Sequence, residues 1–303
     1  MQYHGYLDRF AIIGRCLYAE GWANAFDPEL FYDGAKLKID VQTVRRPELE
    51  SMFGPEAVDW GFILVALIPH ERIDRTKFTL TFSEGLTLAD PASRFSSPGD
   101  THFRAMLERF QAEVAERKGS MIEIGSRARS GASYRSQFHP EVDHLGIDIT
   151  DGPNVDIVCD AHHLSRHTDR TFDFAFSMAV FEHLLMPWKV AIEMNKVLKE
   201  GALGLIISHA AWPLHEEPWD FFRFSKESWR GIFNRHTGFE VVDAQYQHPA
   251  SIVPDYINDP NFQDMSLGPT YLLSGCLIRR KGPALVEWNA EAGDIYDLSY
   301  SHA

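Results

Sequence analysis

The sequence predicts an α/β protein in which a mostly parallel sheet is preceded by a small all-β domain. Three observations carry this. From Ser120 to Ser208, short apolar strands alternate with helical and loop segments, which implies a parallel sheet covered on both faces. Before residue 88, apolar residues recur at every second position with turn signals between them, as in half-buried antiparallel strands. Residues 89–99 (ADPASRFSSPG) are rich in Pro, Ser and Asp and have no apolar period. The expected division is a β-sandwich module over 1–87, a linker over 88–101, a ligand-binding sheet domain over 102–282 and a tail over 283–303.

In the first part, Leu37, Ile39 and Val41 alternate with Lys38 and Asp40, a strand period. Asp33-Gly34 just before them predicts a hairpin turn, because glycine accepts the positive φ that tight turns demand. Further strands are expected at Ile12–Tyr18, Phe62–Ile68 and Phe78–Phe82, with an irregular stretch at Pro47–Pro55. In the second part, Phe103, Met106, Leu107, Phe110 and Val114 form one helical stripe. Asp100 or Thr101 is the expected cap, and Arg117-Lys118-Gly119 the stop. Strands are expected at Met121–Ile124, His144–Ile149, Val155–Val158, Phe172–Ser177 and Gly204–Ser208. A helix over Pro187–Lys199 has Pro in its first turn and Gly201 past its end.

Composition bounds the function. The 303 residues carry 29 basic and 43 acidic groups, net −14. Both parts share the excess: residues 1–87 hold 9 basic and 13 acidic groups, net −4, leaving −10 for the rest. An acidic surface repels phosphate backbones, so nucleic acid is not an expected partner. The longest apolar run, Gly61–Pro69, is about half of the ~20 residues that span a bilayer, so no transmembrane segment is expected. The first residues show no secretory signal pattern. Cys16, Cys159 and Cys276 are scattered, with no CxxC. They read as small core residues in a reducing compartment, which makes the cytoplasm the expected location.

Ligands in an open parallel sheet sit at the carboxyl ends of the strands, so the residues there are the candidates. A glycine directly after strand one, Gly125, lets backbone approach a ligand closely. An acid at the end of strand two, Asp148, can accept both ribose hydroxyls. An acid at the end of strand three, Asp160, can take an exocyclic amine of adenine. Glu123, on strand one itself, can orient an amino-bearing tail. Each signal alone is weak, since a glycine after a strand is commonly a plain turn. In this order and spacing, they point to a nucleoside-binding sheet.

With these residues in place, segment 120–245 resembles a class I S-adenosylmethionine-dependent methyltransferase, a Rossmann-like fold. Glu123-Ile124-Gly125 is similar to its first motif, Asp148 to its second and Asp160-Ala161 to its third; Phe176–Leu184 (FSMAVFEHL) resembles its fourth-strand signature. The resemblance implies S-adenosylmethionine as cofactor. It implies that Glu123 and Gly125 hold the methionine end, Asp148 the ribose, and Asp160 with Ala161 the adenine. Ser126 and Ser177, at the ends of strands one and four, complete the expected cofactor set. One departure stands out: Arg127 and Arg129 occupy the places of the second and third glycines in the family's GxGxG.

The rival on the same kind of sheet is a nicotinamide-dependent enzyme. It needs a GxGxxG to seat pyrophosphate, and the stretch after Gly125 does not supply one. A Tyr-x-x-x-Lys at Tyr32 and Lys36 lies across the Asp33-Gly34 turn and reads as coincidence.

The acceptor side is expected in the segment from His209 to Ser225, where aromatic rings stand beside imidazole, carboxylate and guanidinium. Such a surface suits sugars and other polyhydroxylated ligands. Methyl transfer to a hydroxyl needs its proton removed, and histidine is the natural base near neutral pH. His215 is the first candidate, His209 the second and His183 the third. Trp212, Asp220 and Arg223 are expected to hold the acceptor, although Asp220 and Arg223 could equally pair with each other. Similar His…Pro-x-Asp-Phe-x-Arg-Phe stretches occur in methyltransferases of surface-polysaccharide synthesis. Asp160, His162, His163 and His167 complete no zinc pattern, so no metal ligand is assigned; some sugar methyltransferases use magnesium, which leaves a carboxylate-bound ion open.

The expected function is therefore an O-methyltransferase acting on a sugar hydroxyl of a glycan or its precursor. The alternatives are a non-catalytic glycan- or partner-binding protein, which Arg127 and Arg129 would favour, and a methyltransferase for a lipid or other small metabolite. The N-terminal module resembles a small β-domain found beside polysaccharide enzymes. Its plainer reading is a packing or dimerisation module, through which copies of the chain could associate.

Overall fold

The computed structural model describes residues 3–13, 15–70, 73–88, 98–128, 131, 133–250, 252 and 268–296. The described residues fall into two compact units, one within 3–88 and the other within 98–252 and 268–296. No described helix is long and apolar enough to cross a membrane.

The first unit is built of β1 (Gly5–Ile13), β2 (Cys16–Ala23), β3 (Glu29–Tyr32), β4 (Ala35–Lys36), β5 (Ile39–Val44), β6 (Gly61–Leu67), β7 (Phe78–Thr81) and β8 (Thr87–Leu88). They form two antiparallel four-stranded sheets, ordered β1-β2-β6-β5 and β4-β3-β7-β8. One apolar cluster joins both, with Leu17, Leu64 and Ile68 from one side and Leu30 and Leu80 from the other. The Asp33-Gly34 turn forms as expected: Tyr32 pairs with Ala35, and both turn residues have positive φ, +49° and +80°. The expected strand Ile12–Tyr18 is instead divided between β1 and β2, whose hairpin pairs Ile13 with Cys16. The alternation over Leu37–Val41 also begins too early, since β5 starts at Ile39. Pro47–Pro55 holds 3-10 turns and a single helical turn, α1 (Glu50–Phe53). Lys36 pairs with Glu29, and the Tyr32 hydroxyl accepts from the backbone N–H of Asp74 at 3.0 Å.

The second unit opens with α2 (Pro98–Arg117). The helix starts within the stretch expected as linker, so Asp100 and Thr101 lie in its first turn rather than before it. Phe103, Met106, Phe110 and Val114 are buried along one stripe. The chain leaves α2 through Lys118, which takes φ +47° and donates its backbone N–H to Val114 O.

Next come β9 (Ser120–Ile124), β10 (Asp143–Asp148), β11 (Ile157–Val158), β12 (Phe172–Met178), α3 (Pro187–Val197), β13 (Leu198–His209), α4 (Ser228–Ile232), β14 (Phe239–Ala250), β15 (Thr270–Arg280) and α5 (Ala292–Ile295). Seven strands form one sheet, ordered β11-β10-β9-β12-β13-β15-β14. β9 to β13 pair in parallel, and β15 runs antiparallel between β13 and β14. Alternation on β9 shows the two covered faces. Met121 joins the cluster with α2, while Ile122 and Ile124 join the cluster with α3. The third strand is shorter than Val155–Val158 and the fifth longer than Gly204–Ser208; the helix stops at Val197 rather than Lys199, so Gly201, past its end as expected, lies inside β13. Chain order turns back between β9 and β12, and that switch point is where an open sheet takes its ligand.

The expected tail over 283–303 is tied down as far as residue 296. Lys189 on α3 donates to Ala290 O at 2.7 Å, Glu291 lies 2.8 Å from His163 Nε2, and Trp288 Nε1 reaches Met186 Sδ at 3.1 Å.

Candidate active site

A cavity of about 300 Å³ opens at the carboxyl ends of the central strands. Its inner wall is the turn after β9. The backbone N–H groups of Gly125 and Ser126 both donate to Ile147 O, at 2.8 and 2.9 Å. Gly125 has φ +77°, and a Cβ there would stand 2.0 Å from Val180 Cγ2. Only glycine fits that approach.

Asp148 ends β10 and lines the cavity. Its Oδ1 accepts from the N–H of Thr150 at 3.0 Å and its Oδ2 from the N–H of Arg127 at 3.2 Å. Two backbone donors leave a carboxylate with unused acceptor capacity. The Arg127 side chain, at a glycine position of the family motif, puts Nε 3.9 Å from Oδ1. Asp160 caps the turn after β11, accepting from the N–H of His162 at 2.9 Å and lying 2.6 Å from its Nδ1. Because His162 Nε2 accepts from the N–H of Met186, its proton sits on Nδ1 and points to Asp160. Burial pushes the Asp160 carboxyl up, but the bonds from His162 outweigh it and the net shift is downward. Cys159 also lines the cavity; burial, then the charges of Asp160 and Asp148, push its thiol up to about 11.

Gly125, Ser126, Asp148, Asp160, Ala161 and His183 line this cavity, together with Tyr134, Trp219 and Phe221. Glu123 and Ser177 do not. Glu123 is buried in the sheet with Oε2 2.9 Å from His144 Nε2, and Ser177 donates its hydroxyl to Ile124 O at 3.0 Å, tying β12 to β9.

The three candidate bases come together around a residue that the sequence reading did not single out. Glu182 is wholly buried. Its Oε2 accepts from Ser208 Oγ at 2.5 Å; Oε1 lies 2.7 Å from His209 Nδ1 and 3.8 Å from His183 Nε2. Burial raises its carboxyl, and contacts with His209 and Ser208 more than offset this, holding it below the usual carboxylate range. The rings of His183 and His215 are 4.8 Å apart, those of His209 and His215 5.0 Å, and Trp212 stacks on His209 at 4.5 Å. His183 places Nδ1 2.8 Å from Trp219 O, and His215 places Nδ1 3.1 Å from Pro213 O. A carbonyl only accepts, so both rings carry their proton on Nδ1 and turn a lone pair out at Nε2.

Asp220 and Arg223 bind each other rather than the cavity, by two parallel hydrogen bonds. The Asp220 carboxyl is held well below its ordinary range, first by Arg223, against the opposing effect of burial. Phe221 and Phe222 donate their N–H groups to Glu182 O at 2.9 and 3.2 Å. This fastens the aromatic loop to the turn that carries Glu182 and His183, and sets Trp219 and Phe221 into the wall, where Trp212 was expected.

The cavity suits the cofactor that the sequence resemblance implies. The cradle that a Cβ at Gly125 would fill and the acceptor capacity of Asp148 lie at the switch point of one sheet, next to Asp160 and the small side chain of Ala161.

Residues 131–206 match the family model described as a methyltransferase domain. No curated protein matches the chain. Among solved structures, the chain is similar to an S-adenosylmethionine-dependent methyltransferase from Archaeoglobus fulgidus, with 14% identity, 59% of this chain and 94% of that one covered, and a TM-score of 0.42. It is similar to another from Clostridium acetobutylicum, with 7% identity, coverage of 63% and 94%, and a TM-score of 0.39. A third is the O-methyltransferase of a trans-AT PKS multienzyme from Brevibacillus brevis, solved with S-adenosyl-L-homocysteine: 11% identity, coverage of 61% and 77%, TM-score 0.39. By the family match over residues 131–206, which run from before β10 into β13, this segment is a methyltransferase domain, and the chain is an enzyme that uses S-adenosylmethionine.

Proposed function

We propose that the enzyme methylates a hydroxyl of a sugar, in a glycan or a glycan precursor. The observation that carries this reading is the gathering of His183, His209 and His215 around buried Glu182, beside a cavity wall that includes Trp219 and Phe221. Aromatic faces beside convergent polar groups suit a polyhydroxylated acceptor.

Bound S-adenosylmethionine supplies an electrophilic methyl group. In this reading, Gly125 and Ser126 seat its methionine end, Asp148 accepts from the ribose hydroxyls, and Asp160 with Ala161 borders the adenine. Glu123 acts from behind, through its contact with His144. The acceptor hydroxyl is activated at the imidazole cluster. The Nε2 lone pair of His215 takes its proton, His183 orients it, and His209 holds Glu182 in place. Asp220 and Arg223 support the acceptor by fixing the loop rather than by contact. Residues 102–282 form the cofactor domain, and the N-terminal sheets act as a packing or dimerisation module. The three unbridged thiols support a cytoplasmic setting.

The test is to supply the enzyme with methyl-labelled cofactor and separated pools of glycans with nucleotide sugars, lipids, and small metabolites. Label in the glycan and nucleotide-sugar pool supports the reading. Label confined to lipid or to small metabolites overturns the sugar assignment.

A further inference from the structure

The donor atoms around Glu182 have more than one use. We infer that Glu182, His183 and His215 form a binding site for one divalent transition-metal ion. Each offers a single ligand atom, and these atoms lie within 4.8 Å of one another. Around a tetrahedral ion with bonds of about 2.0–2.1 Å, donors stand roughly 3.4 Å apart. Closing on an ion therefore takes a movement of up to about 1.4 Å, which His215, half-buried on a loop, can supply.

The surroundings of the three residues are those of ligands. A metal-binding histidine typically commits its other ring N–H to a carbonyl or carboxylate, which fixes the ring and its tautomer. His183 does this with Trp219 O at 2.8 Å, and His215 with Pro213 O at 3.1 Å. The second oxygen of Glu182 is likewise engaged, by Ser208 Oγ at 2.5 Å. The oxygen facing the two histidines, Oε1, is fully buried and is also approached by His209. His209 Nδ1 lies 2.7 Å from it and would support the carboxylate from outside the ligand set. Two imidazoles and one carboxylate favour zinc, cobalt, nickel or ferrous iron over magnesium or calcium, which prefer all-oxygen shells. The net charge of −14 favours cation entry. His183 lines the cavity, so a further coordination position would face the acceptor.

An ion here and a free base at His215 compete for the same lone pair. Metal binding is measured without cofactor or acceptor, so its outcome is read separately from that of the proposed reaction. Chelator-treated, desalted full-length protein is titrated with Co²⁺, followed by visible absorption, and then with Zn²⁺ as competitor. The expected result is one equivalent of Co²⁺ with a low-symmetry d–d spectrum, displaced by one equivalent of Zn²⁺. Affinity should fall by a factor of about 10–100 or more in His215→Ala and in His183→Ala. His236→Ala, remote from the cluster, should bind like the wild type. Circular dichroism and thermal melting establish that the variants are folded. Absence of stoichiometric binding, or binding unchanged in both cluster variants, overturns the assignment.

Discussion

Arg223 holds Asp220 in a fork, Nη1 to Oδ1 at 2.5 Å and Nη2 to Oδ2 at 2.7 Å, while its Nε and Nη2 reach the carbonyls of Trp212 and Pro213 at 3.1 Å. One guanidinium thus closes the loop from 212 to 223. Replacing Arg223 by Ala removes both guanidinium bonds from the buried Asp220 carboxylate, which keeps only the His215 N–H, and leaves Trp212 O without its donor; it should cost about 1.5–3 kcal/mol of stability. The pH dependence has a definite sign. The Asp220 carboxyl is depressed in the folded protein, so its contribution is fully present above the unfolded value near ~3.9 and declines as pH falls toward the lower folded value. Thermal melts from pH 6 downward should show wild type losing this increment below about pH 4, with a flatter profile in Arg223→Ala. Superimposable profiles would exclude the pair as an acid-sensitive tie.

Gly125 should tolerate no side chain. An alanine there carries a left-handed backbone cost of about 1–2 kcal/mol and meets Val180 Cγ2 at 2.0 Å. Cofactor affinity, measured by calorimetry, should fall at least ~10-fold, the equivalent of about 1.4 kcal/mol. Adding Val180→Ala should recover the steric part and leave the backbone part. A single variant that binds as tightly as wild type would show that this turn does not form the cofactor cradle.

His215→Ala should lower methyl transfer by a factor of ~10²–10⁴, the range for loss of a general base. Its affinity for the cofactor should stay near that of the wild type, because His215 does not line the cavity where the cofactor is assigned. Turnover equal to wild type would remove His215 from the mechanism.

The thiols should divide by environment. Cys159, pushed up to about 11, and Cys276, likewise pushed up by burial, should resist alkylation at pH 8, whereas half-buried Cys16 should react first. Peptide mapping after timed iodoacetamide treatment reads the order. Early modification of Cys159 would contradict its protonated state.

The legible parts of this protein were those with a local cause. The Asp33-Gly34 turn, the buried stripe Phe103–Val114 and the strand ends at Gly125, Asp148 and Asp160 all follow from short-range pattern. β14 and β15 went unassigned: much of β14 is only half-buried, and what defines both strands is their pairing with each other and with β13, far away in the chain. Glu182 was overlooked for a related reason. Between Phe181 and His183 it resembles a surface residue on a short turn, and its burial is set by Ser208 and His209, 26 and 27 residues later. The histidines could be ranked by chemistry, but the rank did not show that all three cluster beside one buried carboxylate. Nor did residue type show that Asp220 and Arg223 saturate each other.

The stretch that follows Gly125 has one more bearing. Among its described residues up to 142, the chain makes a single 3-10 turn, Arg135–Gln137, and no α-helix. Dinucleotide folds place a helix start there, whose exposed amides draw in diphosphate. Among the described residues no helix start supplies that attraction, and Asp148 and Asp160 set two carboxylates on the cavity wall against the single guanidinium of Arg127. A screen of adenosine derivatives should accordingly reward neutral or cationic tails at the 5′ position and discard phosphorylated ones, which gives a charge criterion for choosing inhibitors before any acceptor is identified.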